Sequence, residues 1–255
     1  MAPFVGKESI EIPLLMTQSS FMLRLERWPA PYLRFSEWLL LIFVAIVPAV
    51  FSAANPQVGQ YYLRMPSLFY GYMLINEMSM IALLMYVLFR QGRDLSDLGL
   101  SFKKGQLKDD IKDGIGLAVV CSALMAFLYY ATWYGYFAKT GRTINLEPEN
   151  IEFTRTPLTV LYMAAMIINP FFEELIVRAF TMTEVLALSG RPWLAVAASV
   201  LLQFSYHLYQ GVPAMFLLCL FLVFSIYFFK TRRIFPLILA HMIFDLGSML
   251  RYATR

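Results

Sequence analysis

Histidine and cysteine are scarce in this chain of 255 residues, which contains two of each. Cys121 and Cys219 lie far apart with neither metal-ligand nor redox spacing, so both are most simply apolar filler. The chain also lacks an internal repeat, a low-complexity segment and the N-terminal pattern of a cleavable signal peptide. These absences exclude a disulfide scaffold and a solenoid, and they direct attention to the two histidines.

Charge is also sparse, at 15% of residues, whereas 59% of residues are hydrophobic and 16% are aromatic. Soluble domains are about 45–50% apolar, so this composition predicts an integral membrane protein. The apolar runs are continuous rather than alternating, and only helices and closed barrels satisfy the backbone in lipid. We therefore predict an all-α polytopic bundle of about seven spans: Trp38 to Ala54, Met65 to Phe89, Ile115 to Ala138, Leu158 to Leu188, Trp193 to Leu208, Ala214 to Phe229 and Ile234 to Leu250.

No connection between these runs is long enough for a second folded domain. Residues 37–255 therefore form a single predicted transmembrane domain, preceded by an N-terminal cytoplasmic or interfacial segment, residues 1–36. Within that segment, the stretch from Leu14 to Leu33 mixes large apolar residues with charged ones. This mixture is typical of an amphipathic segment that lies on a membrane surface.

The distribution of lysine and arginine predicts the orientation, because cytoplasmic loops are enriched in both. With the N-terminus inside, 14 of the 21 fall in cytoplasmic segments, 6 fall outside, and Arg178 lies in the membrane. The net charge of +4 is explained by this bias and by attraction to anionic lipid, and it requires no nucleic-acid partner. We expect a cytoplasmic N-terminus.

Several ionisable residues interrupt the apolar runs. They are His207, His241, the pair Glu173-Glu174 and Arg178. Ionisable groups at membrane depth are costly and are by default candidates for function. The alternative is a set of polar contacts that lock helices together.

Glu77, in the second predicted span, is a further acid at membrane depth. It is either a protonated or helix-bonded residue facing the bundle or a functional one, and the sequence does not choose between them.

Residue counts place the carboxylates and one imidazole at the same height. The fourth and fifth runs form a hairpin around Gly190, with Glu174 16 residues before it and His207 17 residues after it. At about 1.5 Å per residue, the two are level in an antiparallel pair. His241 follows Pro236 by five residues, which predicts a depth of roughly 8 Å. For all three to share that depth, the turn at Gly190 must project into the cytoplasm.

Spacing also predicts pairs within single helices. Glu174 and Arg178 are four residues apart, as are His241 and Asp245, so each pair lies on one helix face. Glu173 points about 100° away from Glu174, toward the histidine helices. A carboxylate and two imidazoles that meet in a dry pocket supply a base, an acid and a stabiliser of developing charge, which amide hydrolysis requires.

These motifs resemble those of the CPBP intramembrane proteases, the CAAX protease and bacteriocin-processing (Abi) family. The family pattern is Glu-Glu-x3-Arg, then Phe-x3-His, then His-x3-Asn/Asp. Residues 173–178 match the first motif and residues 241–245 match the third. The second motif matches only at His207, because Gln203 stands four residues before it and the phenylalanine is Phe204.

The resemblance covers residues 158–250, which it implies are the catalytic core. It implies that Glu173 activates the attacking water with His207 nearby, and that His241 and Asp245 stabilise the oxyanion or the leaving group. Glu174 and Arg178 are implied to support the site.

The chemistry of these side chains leaves metal dependence open. Glutamate, histidine and aspartate are common zinc ligands, so Glu173, His207, His241 and Asp245 could form a four-ligand zinc site. A glutamate in an apolar pocket can also act as a base near neutral pH without a metal. We favour the site without metal or other cofactor, with zinc as the alternative.

The resulting prediction is an intramembrane endopeptidase that acts near the cytoplasmic face. Its expected partners are membrane lipid and a peptide or protein substrate, either lipidated or not, and its expected location is a bacterial inner membrane. A non-catalytic immunity or regulatory protein with the same fold is an alternative. A transporter that relays protons is another, less favoured because paired repeats are absent.

Overall fold

The computed structural model describes residues 30–55, 66–103, 105–144 and 159–253. In these residues the chain is helical, and no strand occurs. The seven long helices are α1 (Pro31–Ala54), α2 (Pro66–Arg90), α3 (Leu107–Thr140), α4 (Val160–Ser189), α5 (Pro192–His207), α6 (Pro213–Thr231) and α7 (Phe235–Ala253). Residues 1–29 of the predicted interfacial segment lie outside the described residues.

The predicted all-α bundle is confirmed, because each predicted apolar run overlaps one of the seven helices over nearly its whole length. Of the described helices, α1, α2, α3, α4 and α6 are long and apolar enough to cross a membrane. The apolar part of α7, Phe235–Leu250, is shorter. Helix α5 has 16 residues, which is about 24 Å, whereas a hydrocarbon core is about 30 Å thick.

Two helices begin earlier than their apolar runs. Helix α1 starts at Pro31 instead of Trp38, because proline fits the first turn of a helix, where its missing N–H is not needed. Helix α3 starts at Leu107 instead of Ile115, with acids in its first turn that suit the N-terminal end of the helix dipole. One of them, Asp110, is buried and accepts a hydrogen bond from Arg233 Nε at 2.6 Å.

Buried polar contacts join one end of the bundle. The buried Glu184 of α4 accepts hydrogen bonds from Arg34 Nε at 2.9 Å and from Arg93 Nη1 at 2.6 Å. Arg232, between α6 and α7, donates to Thr183 Oγ1 at 2.6 Å. We call this end, marked by Arg34, Arg93 and Arg232, the arginine end. It contains the start of α1, the end of α4 and the turn between α6 and α7, so successive helices run in alternating directions.

Two glycines hold α7 close to its neighbours. Gly99 has a φ of 81°, and a Cβ there would lie 2.0 Å from the carbonyl oxygen of Arg232. Gly114 of α3 faces the carbonyl oxygen of Pro236, which would be 2.9 Å from an added Cβ. Only glycine permits both approaches, and they set the position of the helix that carries His241.

The hairpin between α4 and α5 extends beyond the arginine end, as the residue counts predict. Because Arg232 bonds Thr183, the turn between α6 and α7 is level with Thr183. Helix α4 continues to the left-handed Gly190, which is seven residues farther, or about 10 Å.

The winding of α4 changes at the two glutamates. It is an α-helix over Val160–Phe172, a π-helix over Glu173–Phe180 and an α-helix again over Thr181–Ser189. Pro170, which the sequence predicts to disturb the helix just before the glutamates, lies three residues before the change. All eight residues of the π-helix are buried. Helical turns of this kind are rare and often occur at functional sites.

Candidate active site

A fully buried ion pair forms the base of the site. Arg178 Nε donates to Glu174 Oε2 at 2.5 Å, as the spacing of four residues predicts, and both side chains are 0% exposed. Arg178 Nη1 also donates to Ser225 Oγ at 2.6 Å and to the carbonyl oxygen of Phe221 at 3.1 Å, both on α6. Buried charges are tolerated when they are paired and hydrogen-bonded, and Arg178 meets this condition.

Glu174 also binds the histidine of α7. Its Oε1 lies 3.0 Å from His241 Nδ1. With Nδ1 donating to the carboxylate, the other ring nitrogen, Nε2, is directed to the remaining acids of the site. Glu174 therefore connects Arg178 to His241 and orients the imidazole.

Helix α5 holds the carboxyl group of Glu173, which is 5% exposed. Tyr206 Oη donates to Glu173 Oε2 at 2.8 Å, and Gln203 Nε2 donates to the same oxygen at 3.1 Å. Both donors bind Oε2, and within the described ranges no hydrogen bond to Oε1 occurs. The sequence reasoning did not identify either residue as part of the site.

Gln203 stands where the second family motif has phenylalanine, and its amide bonds to two residues of the site. Its side-chain oxygen accepts a hydrogen bond from Arg178 Nη2, while its nitrogen donates to Glu173. A phenylalanine at this position would bond neither group. Phe204, one residue later, packs against the hydrophobic core instead. A polar residue four positions before His207 in an apolar run was the available signal for Gln203.

His241 Nε2 faces two further acids. It lies 4.0 Å from Glu173 Oε2 and 3.7 Å from Asp245 Oδ1. Both distances exceed that of a direct hydrogen bond, so one water or substrate oxygen between these groups can bond to both sides. The other oxygen of Asp245 accepts from Asn169 Nδ2 at 3.2 Å, a contact that sequence reasoning also missed.

His207 lies at the side of this cluster. Its Nδ1 is 2.8 Å from the carbonyl oxygen of Gln203, and its ring packs against Phe221 with the centroids 5.1 Å apart. Among the described residues, no hydrogen bond or ion pair links His207 to Glu173. His207 is within electrostatic range of Asp245. The structure therefore brings Glu173, Glu174, Arg178, His241 and Asp245 together, with His207 beside them.

The geometry also bears on metal binding. In the part of the chain that the structure describes, no group of three or more His, Cys, Asp or Glu side chains is placed to hold a metal ion. Glu174 is already engaged by Arg178, and one oxygen of Glu173 is engaged by α5.

Residues 155–247 match the Rce1-like family, described as type II CAAX prenyl endopeptidase Rce1-like. This segment agrees to within three residues at each end with the region predicted from the motifs, so the resemblance is confirmed there. The match supports a protease, and a hydrolase in general. Helices α1 to α3 lie outside it. No curated protein and no solved structure matches the chain at a significant level.

Proposed function

We propose that the protein is an intramembrane endopeptidase in which Glu173 activates a water molecule. One observation carries this proposal: Glu173 is buried, fixed by two donors on one oxygen, and faces His241 Nε2 across 4.0 Å. A base that is held by two donors, with an imidazole within reach of one bridging water, is suited to bind water and a substrate carbonyl. The family match supports the same chemical class.

The proposed reaction begins with water bound between Glu173 and the substrate carbonyl. Glu173 takes a proton from the water while the oxygen of the water bonds to the carbonyl carbon, which gives a tetrahedral intermediate. His241, protonated on both ring nitrogens in this step, donates a hydrogen bond from Nε2 to the oxyanion, the form of stabilisation that usually contributes most to such reactions. Glu173 then delivers the proton to the leaving nitrogen as the C–N bond breaks, which gives a carboxylic acid and an amine.

The remaining residues support these steps. Glu174 orients His241 through the hydrogen bond to Nδ1, and Arg178 fixes the carboxyl group of Glu174. Asp245, 3.7 Å from His241 Nε2, stabilises the positive ring and helps to bind the reacting groups. His207, whose ring packs against Phe221 at the side of the cluster, is proposed to assist near the leaving group. The proposed reaction requires no metal or other cofactor.

The proposed site of cleavage is close to the cytoplasmic face. His241 is six residues from the first residue of α7, or about 9 Å along that helix from the arginine end. With the N-terminus in the cytoplasm, the arginine end is the cytoplasmic end. The substrate is a peptide or protein, with or without an attached lipid, that reaches the site from this side of a bacterial inner membrane.

The test is digestion of a peptide library by the purified protein in lipid vesicles, with the cleavage sites mapped by mass spectrometry. We expect cleavage at defined bonds, and none with Glu173→Gln. Asp109→Asn is the matched control, because it makes the same change at an exposed acid. Uncut peptides with wild-type protein would reject the proposal in favour of a non-catalytic membrane protein. Equal cleavage by Glu173→Gln would reject Glu173 as the base.

A further inference from the structure

Glu77 of α2 is a buried acid that the proposed reaction does not use. Its side chain faces the interior of the bundle, since the residue is 3% exposed. Its Oε2 is enclosed by protein and has no hydrogen-bond partner among the described residues. Leaving a buried polar group without a partner is costly, so native proteins rarely do so without a reason.

The position of Glu77 relates it to the active site. It is within electrostatic range of Glu173, His241 and Asp245. Helix α2 packs against the first part of α4 and reaches its π-helix, where Glu173 begins the turn. The cluster is therefore bounded by α5 through the donors to Glu173, by α7 through His241 and by α2 through Glu77.

The charges around Glu77 argue against an ion pair. The cations of the cluster, Arg178 and His241, both bond to Glu174. The other groups in range of Glu77 include two acids, and like charges in one pocket disfavour a further carboxylate. A second base beside Glu173 is disfavoured for the same reason. What the carboxyl group of Glu77 lacks is a hydrogen-bond acceptor.

We propose that the substrate supplies it, so that Glu77 is a substrate-binding residue whose carboxyl group, through the oxygen that the protein does not enclose, donates a hydrogen bond to a backbone carbonyl of the bound peptide. This inference rests on the proposed peptidase function. A peptide in the site presents carbonyl groups on either side of the bond that is cut. Binding one of them through α2 would hold the peptide across the space between Glu173 and His241.

The inference makes a distinctive prediction about stability. Glu77→Leu removes an unpartnered buried group, so the variant should unfold at the same or a higher temperature than the wild type. The same change should lower kcat/KM by about tenfold, mainly through a higher KM, because a positioning hydrogen bond is lost. Glu77→Gln keeps a donor of similar shape without charge, and it should restore most of that loss without moving the pH profile. Ser79→Ala is the control on α2, because its exposed hydroxyl bonds only the carbonyl oxygen of Ile75.

Peptide binding separates this inference from the proposed function. In a Glu173→Gln background, the Kd of a library-derived peptide should rise about tenfold with Glu77→Leu and return close to its starting value with Glu77→Gln. Absence of cleavage by the wild type, with this binding pattern intact, would reject the peptidase and leave the role of Glu77 standing. A Glu77→Leu protein that unfolds at a lower temperature or does not fold would make Glu77 structural and overturn the inference. Unchanged peptide binding in Glu77→Leu, or a Glu77→Gln variant no better than Glu77→Leu, would also overturn it.

Discussion

His241 Nδ1 lies 3.0 Å from Glu174 Oε1, so the second glutamate of the motif, and not the first, holds this histidine. Arg178 holds the same carboxylate from the opposite side. The two neighbouring glutamates therefore have different surroundings, although they are adjacent in the sequence. Glu174 is bonded within the protein, whereas Glu173 keeps one oxygen for a further ligand.

Glu174→Gln should lower kcat while leaving KM nearly unchanged. The amide cannot neutralise Arg178, and it need not present an oxygen to His241, so the imidazole loses its fixed orientation. Misplacing a group that stabilises the transition state costs on the order of 10²–10³ in kcat. Steady-state kinetics on one mapped peptide measure the effect. A rise in KM at constant kcat would instead place Glu174 in substrate binding.

Gln203→Phe introduces the residue that the family motif has at this position, and it should impair the protein. Arg178 would lose an acceptor and Glu173 would lose a donor, at a cost of about 1–3 kcal/mol in the free energy of unfolding. We also expect kcat to fall about tenfold, because Glu173 is less well fixed. Denaturant titration and peptide kinetics check the two effects, with Gln210→Leu, in the turn after α5, as the control. Full activity with Gln203→Phe would show that the amide bridge is dispensable.

Features that depend on spacing within one helix could be predicted from the sequence. The pairing of Glu174 with Arg178 follows from the helical repeat, and the projecting turn at Gly190 follows from counting residues. Contacts between helices could not be predicted in this way. Whether Tyr206 reaches Glu173 depends on the rotation of α5 against α4, and the π-helix alters that rotation from Glu173, the first residue of the motif.

The arginine end illustrates the same limit. Arg93 lies in a stretch that is polar enough to be exposed, yet it is 6% exposed and bonded to Glu184, 91 residues away in the sequence. This pair forms because the segment that follows α2 packs against α4, which the sequence does not indicate. Hydropathy therefore predicts which segments are helices, but not which charged residues they enclose.

Glu184→Ala should destabilise the protein without altering its chemistry. Arg34 and Arg93 would lose the buried carboxylate that they share, and breaking a buried ion pair costs about 3–5 kcal/mol. Glu184 lies outside the catalytic cluster, so activity per folded molecule should stay within twofold of the wild type. Thermal unfolding in detergent and active-site-normalised kinetics measure the two quantities. A loss of kcat in fully folded Glu184→Ala would instead couple the arginine end to catalysis.

Metal removal tests the prediction that the protein needs no metal or other cofactor. If Glu173 acts as the base without a metal, activity should survive prolonged dialysis against a strong chelator, and elemental analysis should find no stoichiometric zinc. Activity that disappears on chelation and returns with added zinc would support a zinc-dependent form of the same peptidase. Dialysis without the chelator is the control for loss of lipid or detergent.

The central claim, that Glu173 is the base that activates water, is tested most directly by the single-turnover cleavage rate of Glu173→Gln on one mapped peptide. General-base catalysis contributes about 10²–10⁴ to a rate, so we predict a loss of at least a hundredfold. The unfolding temperature and the peptide Kd should both stay close to those of the wild type. A Glu173→Gln rate within tenfold of the wild type, in protein that folds and binds the peptide normally, would contradict the account.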